Sequence, residues 1–276
     1  MPKLIIAILL ILISDLVVAQ NIFSALHMNE ERDYKTKRPK KIVETSTYYH
    51  SNGKEIVKNV KEFDAAGMLL KEERFNEGGS LTVRLTYSND TVNRLTLTRM
   101  FERWNQFGNT KETAYYIYDS NKFLIRITDI NANDKVIRRS EIRCNEKGDP
   151  IELRLFDPNG KPFGMETASY LYDKNKTVTT VISNEGSILS TDTIKISFRE
   201  AYLYPSGVER YNLNGDLIIW TSQNFSKTET TLFESEYSYD NFGNCTQEIT
   251  YKVKVKANGK RKREISKDLK KEYVYF

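Results

Sequence analysis

The chain has 276 residues, of which 39% are hydrophobic and 12% are aromatic, and its formal net charge is +5. This aromatic content argues against a disordered chain, and the small, dispersed positive charge argues against a nucleic-acid-binding protein. With two Cys and two His in no metal-binding spacing, the sequence contains neither a disulfide scaffold nor a zinc motif. We expect a folded chain that carries no metal and no cofactor.

The N-terminal segment has the pattern of an export signal. Lys3 precedes an apolar run over residues 4–13, and small residues end at Ala19. The run is about half as long as the roughly 20 residues that a membrane-spanning helix needs, which favours a cleaved signal peptide over an anchor. We predict cleavage after Ala19 and a mature protein in the periplasm, on the cell surface or in the medium, with no transmembrane span.

Behind the signal peptide (residues 1–19), residues 20–41 form a charged lead-in, and residues 42–276 form one repetitive β domain. In that domain apolar and polar residues alternate: Ile151, Leu153 and Leu155 share one face of a strand. Alternation with frequent turn signals predicts an all-β fold, an antiparallel meander of hairpins with on the order of a dozen strands. The meander is expected to form an open twisted sheet or a partial β-solenoid.

The strands are separated by a recurring unit: an aromatic strand end, an Asp or Asn, a two-residue turn and a Gly. The best copy spans residues 237–244. The Asp or Asn side chain accepts backbone hydrogen bonds, and Gly supplies a positive φ. In the copies without Gly, Asn121 and Asn175 are expected to be left-handed. The predicted turn residues are Asp64, Gly67, Asn145, Gly148, Asp157, Gly160, Gly207, Gly215, Asp240 and Gly243.

This unit resembles the tyrosine-aspartate (YD, or Rhs-type) repeats of bacterial secreted and cell-surface proteins. Residues 239–244 match the family pattern fully, residues 42–256 match it in degenerate form, and residues 49–54 resemble a MORN-type unit. In the Rhs family such repeats build long hairpin sheets that can spiral into a shell, and they serve as structure or as a carbohydrate-binding surface. Because this chain has too few units to close a shell, the resemblance implies an open, strongly twisted sheet.

The repeated carboxylates could be read as a glycosidase pair. They occupy the same place in each repeat, where turn geometry already explains them; these residues are Asp64, Asp119, Asp157, Asp173 and Asp240. Residues 129–134 resemble the opening of a calcium loop, but Asp134 and Ser140 stand where that loop needs Gly and Glu, so a hairpin turn is favoured. No nucleophile elbow or Walker loop is present.

Two sets of side chains are candidates for ligand binding. The first is the two tryptophans, Trp104 and Trp220. The second is a basic C-terminal hairpin, with Lys252, Lys254, Lys256, Arg261 and Arg263. The basic hairpin is either a solvated or edge strand, whose lysines block sheet-to-sheet aggregation, or a contact surface for an anionic glycan, a lipid headgroup or nucleic acid; the first is favoured.

The sequence therefore predicts a non-catalytic exported protein that offers a sheet surface for binding or for cell-envelope structure. The expected partners are a glycan or another envelope protein, and no nucleic acid is expected. The alternative left open is a carbohydrate-active enzyme that uses two repeat-borne carboxylates beside exposed Trp or Tyr rings.

Overall fold

The computed structural model describes residues 36–174, 176–195, 210–223, 230–255 and 259–276. The predicted signal peptide, most of the lead-in, Asn175, Gly207 and Lys256 lie outside the described residues. None of the described segments is a helix long and apolar enough to cross a membrane.

The described chain consists of β-strands joined by short turns, with one 3-10 turn at Tyr172–Lys174. The first strand begins at Pro39, within the segment assigned to the lead-in. The strands are β1 (Pro39–His50), β2 (Gly53–Phe63), β3 (Leu69–Phe75), β4 (Leu81–Asp90), β5 (Leu95–Asn105), β6 (Gly108–Tyr118), β7 (Leu124–Asn131), β8 (Val136–Cys144), β9 (Pro150–Phe156), β10 (Pro162–Leu171), β11 (Lys176–Ser183), β12 (Ile188–Lys195), β13 (Arg210–Tyr211), β14 (Leu217–Gln223), β15 (Thr230–Tyr239), β16 (Cys245–Val255) and β17 (Arg261–Tyr275).

All 17 strands belong to one antiparallel sheet. Consecutive strands pair from β1 to β12 and from β13 to β17. In addition, most of β1 pairs with residues 267–275 of β17. The described pairs thus run from β12 through β1 and β17 to β13, which makes β12 and β13 the two edges of an open sheet. The prediction of an all-β antiparallel meander in an open sheet is confirmed. The strands outnumber the predicted dozen, since turns without a repeat signal, such as Asn105–Gly108, also close hairpins.

One turn geometry closes hairpins at both ends of the sheet. In its best copy, the Asp240 amide donates to the Asn244 carbonyl at 2.9 Å, and the Gly243 amide donates to the Asp240 carbonyl at 3.0 Å. Gly243 has a φ of 78°, a left-handed conformation that only Gly adopts without a Cβ penalty. The same pair of backbone hydrogen bonds recurs at residues 64–68, 76–80, 119–123, 131–135, 145–149, 157–161, 183–187 and 212–216.

The left-handed residue is always the third after the corner, which corrects one expectation. After the corner Asp119 it is Lys122, with a φ of 67°, rather than Asn121. Asp134, with a φ of 57°, takes this place after Asn131, so the segment with a partial calcium-loop pattern is a hairpin turn. Asp173 differs from the other repeat aspartates because it lies in the 3-10 turn and is not a corner residue.

The direction of the strands sorts these turns between the two ends of the sheet. We call one end the tyrosine end. The strands β6, β15 and β17 finish there with Tyr-x-Tyr, and the same motif spans the end of β10 and the 3-10 turn. The turns at this end are those at 64–68, 119–123, 145–149, 212–216 and 240–244. The opposite end carries the turns at 76–80, 131–135, 157–161 and 183–187 and the Asn105–Gly108 turn.

One face of the sheet, which we call the inner face, holds the apolar core. Ile42 lies there, and the strand register puts Lys61, Glu72, Leu85 and Phe101 on the same face. The larger cluster of buried side chains on this face comprises Ala114, Tyr116, Ile127, Ile142, Leu153 and Ala168. Each large apolar side chain buried there contributes about 1.5–3 kcal/mol.

Charged side chains are buried on the inner face as well, and they form ion pairs. Glu44 contacts Lys61 at 2.9 Å and Lys271 at 3.1 Å, which joins β1 to β2 and to β17. Asp129 contacts Arg138 at 2.8 Å, which joins β7 to β8. Burial by itself would raise the pKa of Glu44, but the charges of Lys271 and Lys61 outweigh it and lower that pKa to about 2.

Candidate functional site

The repeated carboxylates are engaged in the turns that they begin. Oδ1 of Asp157 accepts the amides of Asn159 and Lys161 at 2.9 and 2.8 Å, and Oδ1 of Asp119 accepts those of Asn121 and Phe123 at 2.9 and 2.8 Å. Each carboxylate replaces a solvent contact for two backbone N–H groups. This arrangement gives every corner aspartate a structural role.

The repeat does not bring these carboxylates to neighbouring strands. Asp64 follows β2 and Asp119 follows β6 at the tyrosine end, four strands apart, or about 19 Å along the sheet. Asp157 lies at the opposite end. Glycosidase carboxylates stand about 5–10 Å apart across the scissile bond. The spacing therefore supports the turn interpretation of these residues.

Three Tyr-x-Tyr motifs of the described chain, at residues 170–172, 237–239 and 273–275, bind the turn beside them through both rings; in the motif of β6, the hydroxyl of the second tyrosine, Tyr118, donates to the Thr96 carbonyl at 2.9 Å. The hydroxyl of the first tyrosine donates to the carbonyl just after that turn: Tyr170 to Pro150 at 2.7 Å and Tyr237 to Leu217 at 2.8 Å. Burial raises the pKa of both phenols, which keeps them protonated as donors. The two rings of a motif stack, with 5.5 Å between the ring centroids of Tyr170 and Tyr172.

The second tyrosine is held between an Asp and an Asn of the same turn. The hydroxyl of Tyr172 donates to Oδ2 of Asp149 and accepts from Nδ2 of Asn145, both at 2.7 Å. Tyr239 makes the same two contacts, with Asp216 at 2.5 Å and with Asn212 at 2.6 Å. We call this arrangement the tyrosine clamp.

In the clamp at the C-terminus, the Asp and the Asn exchange places. The corner is now Asp240, whose Oδ2 accepts from the Tyr275 hydroxyl, while Nδ2 of Asn244 donates to that hydroxyl at 2.9 Å. The clamp needs one acceptor and one donor, and either order of Asp and Asn provides them. This chemistry accounts for the choice of Asn145, Asn212 or Asp240 at the three clamped corners.

The clamp predicts that equivalent corner aspartates differ in their effect on stability. Asp157→Ala removes only the turn acceptor and is expected to lower the free energy of unfolding by about 1 kcal/mol. Asp240→Ala removes the same acceptor and the bond to Tyr275, so we expect a loss of about 2 kcal/mol. Urea denaturation of both variants measures the difference. Equal losses would show that the clamp adds no stability.

The two tryptophans are not brought together. Trp104 lies on β5 and Trp220 on β14, eight strands apart in the sheet order. The Trp104 ring carries the Arg84 guanidinium at 5.5 Å, and the Trp220 ring stacks on Phe233 with centroids 5.4 Å apart. Both rings are half-buried against their own sheet neighbours, so they do not form a shared platform.

The basic C-terminal hairpin is paired with carboxylates of the sheet. Lys254 contacts Glu264 at 2.8 Å, and Arg263 contacts Glu236 at 2.7 Å and lies 3.7 Å above the Tyr251 ring. Arg261 reaches Glu234 on β15. Lys252 is exposed. The expectation of an edge strand is wrong for β17, because β17 lies between β16 and β1.

Opposite charges also alternate on the outer face of β1–β5. They form a ladder in which each lysine or arginine contacts carboxylates on its own or a neighbouring strand. The contacts are Lys41–Glu62 at 3.9 Å, Glu62–Lys71 at 3.4 Å, Lys71–Glu73 at 3.5 Å, Glu73–Arg84 at 2.9 Å and Arg84–Glu102 at 4.0 Å. Exposed pairs add little stability, but they match the charges of this face locally.

The structure contains a groove at the opposite end of the sheet that the sequence did not predict. It lies between the turn at 76–80 and the end of β5, has a volume of about 740 Å³, and includes Arg74, Phe101 and Arg103 in its lining. Trp104 also borders it, although strand alternation directs its ring to the outer face, where Arg84 lies. The turn residues and the alternating pattern of β4 and β5 were visible in the sequence, but their meeting depends on the strand order.

Neither metal nor thiol chemistry is assembled in the described part of the chain. No group of His, Cys, Asp and Glu side chains among those residues is arranged to hold a metal ion. Cys144 and Cys245 are both free and half-buried, on β8 and β16. Burial raises the pKa of each thiol to about 11, which disfavours the reactive thiolate.

No protein-family model and no curated protein match the sequence. Solved structures that resemble the chain include a porin-like protein from Bacteroides uniformis, with a TM-score of 0.49 and 13% identity over 87% of this chain and 98% of that one. A porin-like protein from Bacteroides vulgatus has a TM-score of 0.32 and 9% identity over 86% and 98% of the two chains. The structure of TcdB2-TccC3-TEV has a TM-score of 0.16 and 11% identity over 80% of this chain and 16% of that chain. The chain itself is an all-β protein with a repeat-like structure.

Proposed function

We propose that this chain is an exported, non-catalytic repeat protein whose sheet serves as a binding or structural surface of the bacterial cell envelope. The observation that carries the proposal is the use of the corner carboxylates. Each accepts backbone hydrogen bonds in the turn that it begins, and Asp240 also holds a tyrosine clamp. Those contacts assign the repeated aspartates to the scaffold, which leaves the faces of the sheet to make external contacts.

The repeats fit a degenerate YD, or Rhs-type, pattern. In support, the best Tyr-Asp copy has a structural role for both residues: Tyr239 ends β15 in one clamp, and Asp240 begins the next turn and holds the Tyr275 hydroxyl in another. In this proposal the units are scaffold modules, and ligand contacts come from the side chains between them. Glycan is the proposed ligand class.

Export is tested by the intact mass of the mature protein recovered from the periplasm or the medium. The short apolar run that ends at Ala19 predicts a chain that begins at Gln20. Retention of residues 1–19 in the recovered protein would contradict export by a cleaved signal.

Binding without catalysis is tested on one set of ligands. The mature chain is applied to an array of neutral and acidic glycans, and the glycans that it binds are then incubated with it in solution. We expect retention on the array with no release of new reducing ends. Hydrolysis that is abolished by a single change such as Asp240→Asn would instead support a carbohydrate-active enzyme.

A further inference from the structure

The groove at the opposite end of the sheet has an unbalanced charge. Its lining includes Arg74 and Arg103 and no carboxylate. Arg74 is held by Glu72, with 2.6 Å between Nε and the carboxylate oxygen. Arg103 is exposed and has no ion-pair or hydrogen-bond partner in the described part of the chain. The groove therefore presents an available guanidinium, in contrast to the paired charges of the outer face and the C-terminal hairpin.

The floor of the groove is apolar. Leu81, Val83 and Phe101 line it, and the register places Val83 and Phe101 on the inner face with Arg103. Phe101 is half-buried. The aromatic ring offers a flat apolar surface for C–H groups. The guanidinium beside it can make two parallel hydrogen bonds to an anion.

Two asparagine side chains at the rim of the groove have their oxygens already engaged and can still donate hydrogen bonds. Oδ1 of Asn76 already accepts the Ser80 amide at 2.9 Å, and Oδ1 of Asn105 accepts the Phe107 amide at 2.8 Å. Both side chains keep their NH₂ groups for another partner. Together with Arg103, these amides offer donors to a ligand rich in oxygen acceptors.

We infer that this groove binds an acidic oligosaccharide, a sugar chain that carries carboxylate or sulfate groups. Arg103 pairs with the anion, the Asn76 and Asn105 amides donate to hydroxyl and ring oxygens, and Phe101 lies against the apolar face of a ring. The volume of about 740 Å³ lies within the ~300–1,000 Å³ of small-ligand sites. This inference rests on the proposed binding function and specifies its ligand. We favour a sugar over an acidic peptide because donor amides stand beside the Phe101 ring, an arrangement that matches the oxygens and the apolar face of one sugar ring.

Calorimetric titration of the mature protein tests the inference with four probes: trigalacturonate, its neutral methyl ester, a chondroitin sulfate tetrasaccharide and a tri-glutamate peptide. We expect at least one acidic sugar to bind, and the ester and the peptide to bind at least tenfold more weakly. Arg103→Gln should weaken the binding of the acidic sugar roughly 10- to 100-fold, because a charge-assisted bidentate contact is lost. The matched control is Arg126→Gln on the outer face, which should leave binding unchanged.

The other outcomes separate this inference from the broader proposal. If Arg103→Gln binds the acidic sugar as the unsubstituted protein does, or if Arg126→Gln weakens it equally, the groove is not the site. If neither acidic sugar binds while neutral glycans are retained on the array, the inference fails and the proposed glycan-binding function stands. Preference for the peptide over both acidic sugars would replace the sugar with a protein ligand.

Discussion

Replacing Glu44 by Gln is expected to lower the free energy of unfolding at neutral pH by about 3–5 kcal/mol. The substitution keeps the size of the side chain but removes the negative charge that the ammonium groups of Lys61 and Lys271 contact at 2.9 and 3.1 Å. The side chains of Glu44 and Lys61 are only 9% and 6% exposed, so water compensates little. Chemical denaturation of both proteins at pH 7 measures the loss.

A double variant provides the control for this charge effect. In Glu44→Gln combined with Lys61→Met, one buried cation leaves together with the carboxylate, so we expect the double variant to be more stable than Glu44→Gln alone. If the double variant is less stable than the single one, the cost comes from lost packing rather than from an uncompensated charge.

The same carboxylate predicts how stability depends on pH. Because the pKa of Glu44 is lowered in the folded protein from 4.5 to about 2, its contribution is fully present above about pH 4.5 and is lost as the pH falls towards 2. The stability difference between the unsubstituted protein and Glu44→Gln should therefore shrink across that window. A difference that stays constant down to pH 2 would contradict the assignment.

Gly148→Ala is expected to cost roughly 3 kcal/mol, which is more than the same change at Gly160. Both glycines are left-handed, with φ of 82° and 79°, so each Ala pays about 1–2 kcal/mol in backbone strain. At Gly148 a Cβ would also lie 2.7 Å from the Phe123 ring, whereas at Gly160 nothing lies within 4 Å. Displacing a packed ring adds roughly 1–3 kcal/mol.

Thermal or urea denaturation of the two variants isolates that contact, because the turn and the backbone strain are shared. In a Phe123→Ala background, Gly148→Ala should cost only the backbone strain, as Gly160→Ala does, because the clash is then absent. If Gly148→Ala and Gly160→Ala are equally destabilised, the Phe123 ring moves aside at no cost, and only the turn conformation matters.

Local features of the sequence predicted the hairpins well. The Asp240 corner and the left-handed Gly243 follow from turn chemistry, and the shared face of Tyr237 and Tyr239 follows from the two-residue period of a strand. Lys122 was missed because the left-handed position is set by distance from the corner, and Asn was preferred there on residue type alone. The hydrogen bonds of the turns fix the left-handed residue as the third after the corner, whatever its type.

Features that depend on distant parts of the chain could not be predicted. The sequence gives no sign of the buried Glu44 ion pairs, since nothing near Glu44 indicates that Lys271 will lie beside it. Arg261 and Arg263 looked like a free basic patch because their carboxylate partners are on β15. The groove with Arg103 could not be predicted for the same reason, because two turns that are separate in the sequence form it.

The pairing of β1 with β17 has a consequence for how the chain reaches its final state. Almost all the remaining pairings join a strand to the next one along the chain. Most of the sheet is therefore built from local contacts, which form quickly. The Glu44–Lys271 ion pair and the packing of Tyr273 against the Ile42 core form only when β17 is in place. Until β17 pairs with it, β1 has an uncovered edge and a partly exposed core. This interval ends only when β17 is in place, so removal of residues 267–275 would harm assembly more than the loss of an edge strand would.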